Sequence, residues 1–165
     1  MEKNEKDFIE KLMARKVVRV FLDSNVILSG LFSDRGAPRI ILDVLALRLP
    51  FLICLTGRYN LIEIERNLKK KMPSAFPVYK NYLPMLNLKI TPLPQAEEVR
   101  QFSGHIADKD IPVLLSAIQS KADFLVTGNK EHFEKLRSSP NYPFKIVTPA
   151  EFLEVFLPEI LKRIA

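Results

Sequence analysis

Asp23, Glu63, Asp108 and Asp110 are the side chains of this sequence best placed to do chemistry, and each stands beside an apolar pattern that fixes where it can project. Asp23 closes the β-prone run Val17-Val18-Arg19-Val20-Phe21-Leu22 and is followed by the small polar pair Ser24-Asn25. An inner strand of a parallel sheet that ends in a carboxylate presents it at the carboxyl edge, where open α/β sheets assemble their sites. The competing reading is a cap for a turn or for the next helix, with Asn25 assisting. Glu63 sits between Ile62 and Ile64, one position from the stripe Leu61, Ile64 and Leu68, a place that can turn it toward a rim; a solvated helix residue is the competing reading. Glu65 lies four residues before Lys69 and has an ordinary surface explanation as a helical ion pair. Asp108 and Asp110 precede a helical segment carrying Val113, Leu114 and Ala117; taken singly, each reads as an amino-terminal cap.

Taken together, the acids describe a site for a hard cation. The chain has one cysteine and two histidines, so a thiolate zinc site and an internal disulfide are both out of reach, and Cys54 reads as a small buried hydrophobe. Oxygen donors suit Mg²⁺ or Mn²⁺, and a cation relieves the repulsion that gathered carboxylates would otherwise suffer. Hydrolysis of a phosphodiester is the chemistry such a centre supports. The net charge of +6, from 25 Lys and Arg against 19 Asp and Glu, favours a polyanionic partner. An acidic centre in a basic chain is what a phosphate backbone requires: flanking cations hold the polymer while the centre attacks it. Arg66, Lys69, Lys70 and Lys71 form one basic cluster at the end of a helix, and Lys11, Arg15 and Lys16 form another. A solvated helix end is the alternative reading of both clusters.

The elements that must position these groups alternate between strand and helix. The pattern predicts an opening helix over 3–14, strand 17–22, a loop bearing Gly and Asp, helix 37–47, strand 50–55 and helix 58–71. A second helical segment follows between the prolines at 73–77 and Pro84. Strand 88–91, helices 95–104 and 110–120, strands 123–127 and 144–148 and a closing helix 150–163 complete the layout. This pattern is α/β: a three-layer sandwich around a mostly parallel five-stranded sheet, with the loops after residues 22, 55 and 127 on one edge. At 165 residues the chain is expected to form a single domain over 1–165. No apolar stretch approaches a membrane span, and acids interrupt the amino terminus, so a cytoplasmic location is expected.

These residues also resemble a known family. The segment Val20–Ser29, the helix Leu61–Leu68, the segment Asp108–Ala117 and the segment Ala122–Lys130 are similar, in order and interval, to the motifs of PIN-domain ribonucleases, and the likeness runs from about residue 17 to 153. The resemblance implies a metal-dependent endoribonuclease of the kind found as toxins in toxin–antitoxin pairs, with RNA as substrate and a small antitoxin protein and a second copy of the chain as candidate partners. Transferred residue by residue, it makes Asp23, Glu63 and Asp110 the catalytic acids and metal ligands, with Asp108 an accessory acid. One position departs from the pattern. After Val126-Thr127-Gly128 the family commonly has Asp, but this chain has Asn129, which keeps a carbonyl oxygen and loses a charge. Glu131 is a possible compensating acid.

Asn25 and Thr127, with Ser24 as an alternative, are expected to orient a bound water, a carboxylate or the substrate. Arg66, Lys69, Lys70 and Lys71 are expected to hold flanking phosphates. His132 reads as a surface or packing residue, and His105 lies just before the acidic loop. Tyr59, Tyr79, Tyr82 and Tyr142 suit base stacking or packing. A noncatalytic RNA-binding module and a structure-specific DNA nuclease are the alternatives to an endoribonuclease.

Overall fold

In the computed structural model, residues 17–137 and 144–164 are described, together with residues 3, 7, 8, 10, 11 and 14. The opening helix expected over 3–14 therefore lies largely outside the described residues, as do Arg15, Lys16 and Tyr142. β1 (Val18–Leu22) occupies the middle of the sheet because, Arg19 apart, its side chains are apolar and buried on both faces, the signature of a strand covered above and below. It pairs with β2 (Leu52–Gly57) on one side and β4 (Phe124–Val126) on the other. β3 (Lys89–Thr91) and β5 (Lys145–Val147) complete a five-stranded sheet of order β3-β2-β1-β4-β5. All of these pairs are parallel, one step beyond the mostly parallel sheet expected.

Strand alternation divides the core in two. Val18, Val20 and Leu22 face one layer, built from α1 (Ser24–Leu31), α2 (Ala37–Ala46), α3 (Arg58–Lys71) and α8 (Pro149–Ile164). Phe21 faces the other layer, where Val113, Leu114 and Ala117 of α6 (Ile111–Gln119) pack against Leu55 and Leu125. Between these landmarks lie α4 (Phe76–Tyr82), the short α5 (Ala96–Gln101) and the one-turn α7 (Glu134–Arg137).

The main correction concerns residues 24–31, read from sequence as loop and found as α1. Val26 and Ile27 are weak helix formers and Gly30 is a poor one, so local propensity hides the element. Packing decides it: a Cβ on Gly30 would stand 2.5 Å from Leu42 Cδ1, so the glycine lets α1 and α2 approach closely. A smaller shift affects β2, which runs 52–57 rather than 50–55 and carries its polar end, Thr56-Gly57, to the edge of the sheet.

With every strand parallel, the ends of β1, β2 and β4 meet on one edge. The chain leaves β1 toward β2 but leaves β4 toward β5, so the crevice between β1 and β4 is the topological switch point at which open α/β sheets bind ligands.

Candidate active site

Asp23 lies at that switch point, and its backbone N–H donates to the Val126 carbonyl at 3.0 Å, extending the β1–β4 ladder by one residue. Its side chain is buried and receives donors from three directions. Oδ1 accepts from the Ser24 backbone N–H at 2.7 Å and from Asn60 Nδ2 at 3.1 Å. Oδ2 accepts from the Thr127 hydroxyl at 2.8 Å, with Asn25 Nδ2 more distant at 3.4 Å. Both sequence readings of Asp23 thus hold at once, since the residue ends β1 and also caps α1. Burial pushes its carboxyl up to about 6; the bonds from Thr127 and Ser24 oppose the rise, and the like charges of Glu63 and Asp110 add to it.

The acids reach this point from separate elements. Glu63, half-buried, lies in the second turn of α3, and Asp110, buried, is the amino-terminal cap residue of α6. Both act on Asp23 as like charges that raise its carboxyl. Asp110 makes no side-chain capping bond, and its Oδ2 is buried without a hydrogen-bond donor. His132 Nδ1 stands 3.5 Å from that oxygen, which brings a residue read as surface or packing to the edge of the acids. Asp108 is exposed at the start of the 3-10 turn Asp108–Asp110, and His105 is exposed farther along the loop.

The residues present fit a hard cation. A buried carboxylate oxygen without a hydrogen bond and a carboxyl raised by burial and like charge are both relieved by a bound cation, and the acids offer it oxygen donors. The acids are not closed around a point in advance: among the described residues no three His, Cys, Asp or Glu side chains form a ready-made metal-holding group.

The small polar residues serve Asp23. Thr127 is fully buried, and its hydroxyl is directed at the carboxylate. Asn25 Oδ1 accepts from the Gly128 N–H at 2.8 Å, tying α1 to the loop after β4. Asn129 donates its backbone N–H to Thr127 Oγ1 at 3.1 Å, which puts it on the same rim; Glu131 is exposed beyond it. Lys130 is committed elsewhere, 2.6 Å from Glu151 in the first turn of α8.

The basic cluster divides between two faces of α3. Arg66 is close enough to Tyr59 to act on its phenol, and Tyr59, Glu63, Arg66 and Lys70 follow the spacing of a single helical stripe. Lys69 lies on another face, with Nζ 4.8 Å from the centre of the Phe76 ring, and Lys71 is exposed at the helix end.

The residue missed by sequence reasoning is Asn60, which is fully buried in α3 and bonded to Asp23. The available signal was its spacing: Asn60, Ile64 and Leu68 lie four apart, so an amide occupies an otherwise apolar stripe.

The sequence from 19 to 131 matches the family model of the PIN domain. This chain belongs to the PIN-domain family. PIN domains are nucleases and generally use divalent metal ions. Among solved structures, this PIN domain is similar to VapBC2 from Rickettsia felis, determined bound to a DNA fragment from their promoter. The TM-score is 0.57 at 16% identity, covering 79% of this chain and 98% of that one. It is also similar to PAE2754 from Pyrobaculum aerophilum, with a TM-score of 0.56 at 15% identity, covering 84% and 97% of the two chains. At these identities the likeness is one of fold. No curated protein matches the sequence. Among the described residues no helix is long and apolar enough to cross a membrane.

Proposed function

We propose that this PIN domain is a divalent-metal-dependent endoribonuclease of the toxin type, acting in the cytoplasm as one domain over residues 1–165. The observation that supports it most is the seat of buried Asp23 at the switch point of the sheet, within the electrostatic reach of Glu63 and Asp110, together with a buried Asp110 oxygen that makes no hydrogen bond. In this reading Asp23, Glu63 and Asp110 hold Mg²⁺ or Mn²⁺, with Asp108 and Asn129 as rim ligands. The ion supplies Lewis-acid activation of water and neutralises charge on the scissile phosphate. Thr127 and Asn25 keep the Asp23 carboxylate facing the centre. Arg66 and Lys70, on the Glu63 stripe, hold phosphates on either side of the cleaved bond, with Lys69 and Lys71 farther from the centre.

RNA is the proposed substrate, supported by the family and by a net charge of +6. A small antitoxin protein is the proposed partner and a homodimer the proposed assembly, supported by the motif resemblance and by the likeness in fold to VapBC2. A noncatalytic RNA-binding module is the second reading, favoured by Asn129 in place of the usual acid and by acids not closed in advance.

Defined single-stranded RNA and DNA oligonucleotides incubated with Mn²⁺, Mg²⁺ or chelator test both. Internal cleavage of RNA that chelator abolishes is the expected result. RNA binding without cleavage in either metal would establish the second reading, and preferential cleavage of DNA would reassign the substrate.

A further inference from the structure

Gly57 ends β2 with φ −94° and ψ 152°, an extended conformation open to any residue, so its identity is set by space and not by its backbone angles. A Cβ at this position would stand 2.8 Å from Asn60 Oδ1 and 2.9 Å from Ser116 Oγ. These two atoms are fully buried, and neither has a hydrogen-bond partner. Asn60 Oδ1 and Ser116 Oγ therefore both border the space that the glycine leaves. The other end of the same amide is committed: Nδ2 donates to Asp23 Oδ1 at 3.1 Å and to Ser24 Oγ at 2.9 Å. The assignment of oxygen and nitrogen follows from these bonds, because a flipped amide would set Oδ1 against a carboxylate.

We propose that Asn60 is a positioning residue for Asp23, seated between the Gly57 gap and the Ser116 hydroxyl, and that it holds the carboxylate in the orientation that receives the metal ion. The inference rests on the reading of this centre as a metal site and adds a residue to it. An amide in the apolar stripe of α3 is costly unless its hydrogen-bonding capacity is used, and at Nδ2 it is used on Asp23 and its neighbour Ser24. Ser116 belongs to α6, so the gap beside the amide is bordered by the helix bearing Glu63 and by the helix that follows Asp110.

The test compares the wild type with Asn60→Leu and Gly57→Ala. Leucine fits the apolar stripe but removes the donor to Asp23 and Ser24, so Asn60→Leu is expected to fold and to melt a few degrees below the wild-type temperature. Its half-saturating Mn²⁺ should rise at least tenfold and kcat for RNA fall at least tenfold, with KM for RNA unchanged. Gly57→Ala keeps the amide but forces it or Ser116 to shift, and should change metal dependence in the same direction. A readout independent of turnover is the Asn60 side-chain amide by nitrogen-15 NMR. Its protons should exchange slowly in the wild type, shift when Mg²⁺ alone is added, and lose protection in Asp23→Ala.

Wild-type metal affinity and kcat in a folded Asn60→Leu would overturn the proposal. So would an amide signal indifferent to both Mg²⁺ and Asp23→Ala, a measurement that stands even where a variant does not fold. Failure of the nuclease reading looks different: the wild type itself would neither bind Mg²⁺ nor cleave, which removes both readings.

Discussion

Thr127 donates its hydroxyl to Asp23 Oδ2 at 2.8 Å, a bond between the carboxyl ends of β4 and β1 and the shortest that this oxygen receives. The same Oγ1 accepts the Asn129 N–H, so one fully buried hydroxyl fixes both the first acid and the rim residue that departs from the family pattern.

Thr127→Val keeps the shape and removes the donor. Leaving a buried carboxylate short of its main partner should lower stability by about 1–2 kcal/mol. Mn²⁺-dependent kcat should fall by about tenfold or more, as for loss of a group that orients a metal ligand. Urea melts and single-turnover cleavage measure the two effects separately. Unchanged turnover would mean that Asp23 needs no fixed orientation.

Asp23→Asn should cut cleavage by at least about 10²-fold while leaving the fold intact. In chelator the variant should also be the more stable protein. The Asp23 carboxyl rises from 3.8 to about 6 on folding, so the folded state binds more protons between those values, and stability falls as pH rises through that window. The cost is absent below about pH 4, fully present above about pH 6, and bounded near 3 kcal/mol at ~1.4 kcal/mol per unit. Thermal melts of both proteins at pH 4 and pH 7.5 check the sign: the advantage of the variant should appear only at the higher pH.

Asn129→Asp restores a charged oxygen ligand at the rim. Half-maximal activity should be reached at lower Mg²⁺, with a smaller change in Mn²⁺, which binds such sites more tightly already. A metal titration of the cleavage rate decides it; identical curves would place Asn129 outside the coordination sphere.

Charge reversal of Arg66 and Lys70 together should weaken RNA binding across unrelated sequences and flatten the slope of log affinity against log salt by roughly one to two units. Lys69→Glu should change that slope less, because Lys69 packs over Phe76 on a different face of α3. Fluorescence anisotropy over a salt series separates the faces. Equal slopes for both variants would mean that the polymer does not follow the Glu63 stripe.

The layout of the sheet was legible wherever apolar runs were bounded by turn residues. The run 17–22 became β1 and the stripe Leu61, Ile64 and Leu68 became α3 over the same residues as expected, because burial and periodicity agree there. Asp23 and Asp110 drew notice because each stands at a boundary of an element, and Glu63 because it stands beside the stripe Leu61, Ile64 and Leu68 inside α3. α1 was not legible because it depends on the fit of Gly30 against Leu42, a contact that local propensity does not encode. Asn60 was hidden by its type. A polar residue in a helix ordinarily reads as solvent-facing, and only the meeting of α3 with Asp23 shows what occupies its amide.

The order β3-β2-β1-β4-β5 also governs when the centre comes into existence. A chain growing from its amino terminus that has emerged through α6 already contains Asp23, Glu63 and Asp110, yet one side of β1 is still an open edge and Asp23 Oδ2 lacks its hydroxyl. Closure joins residues 104 positions apart, a pairing of the kind that forms late because the intervening loop must be ordered first. Cutting the chain between α6 and β4 would therefore leave two inert pieces, with activity returning only when β4 slots in beside β1.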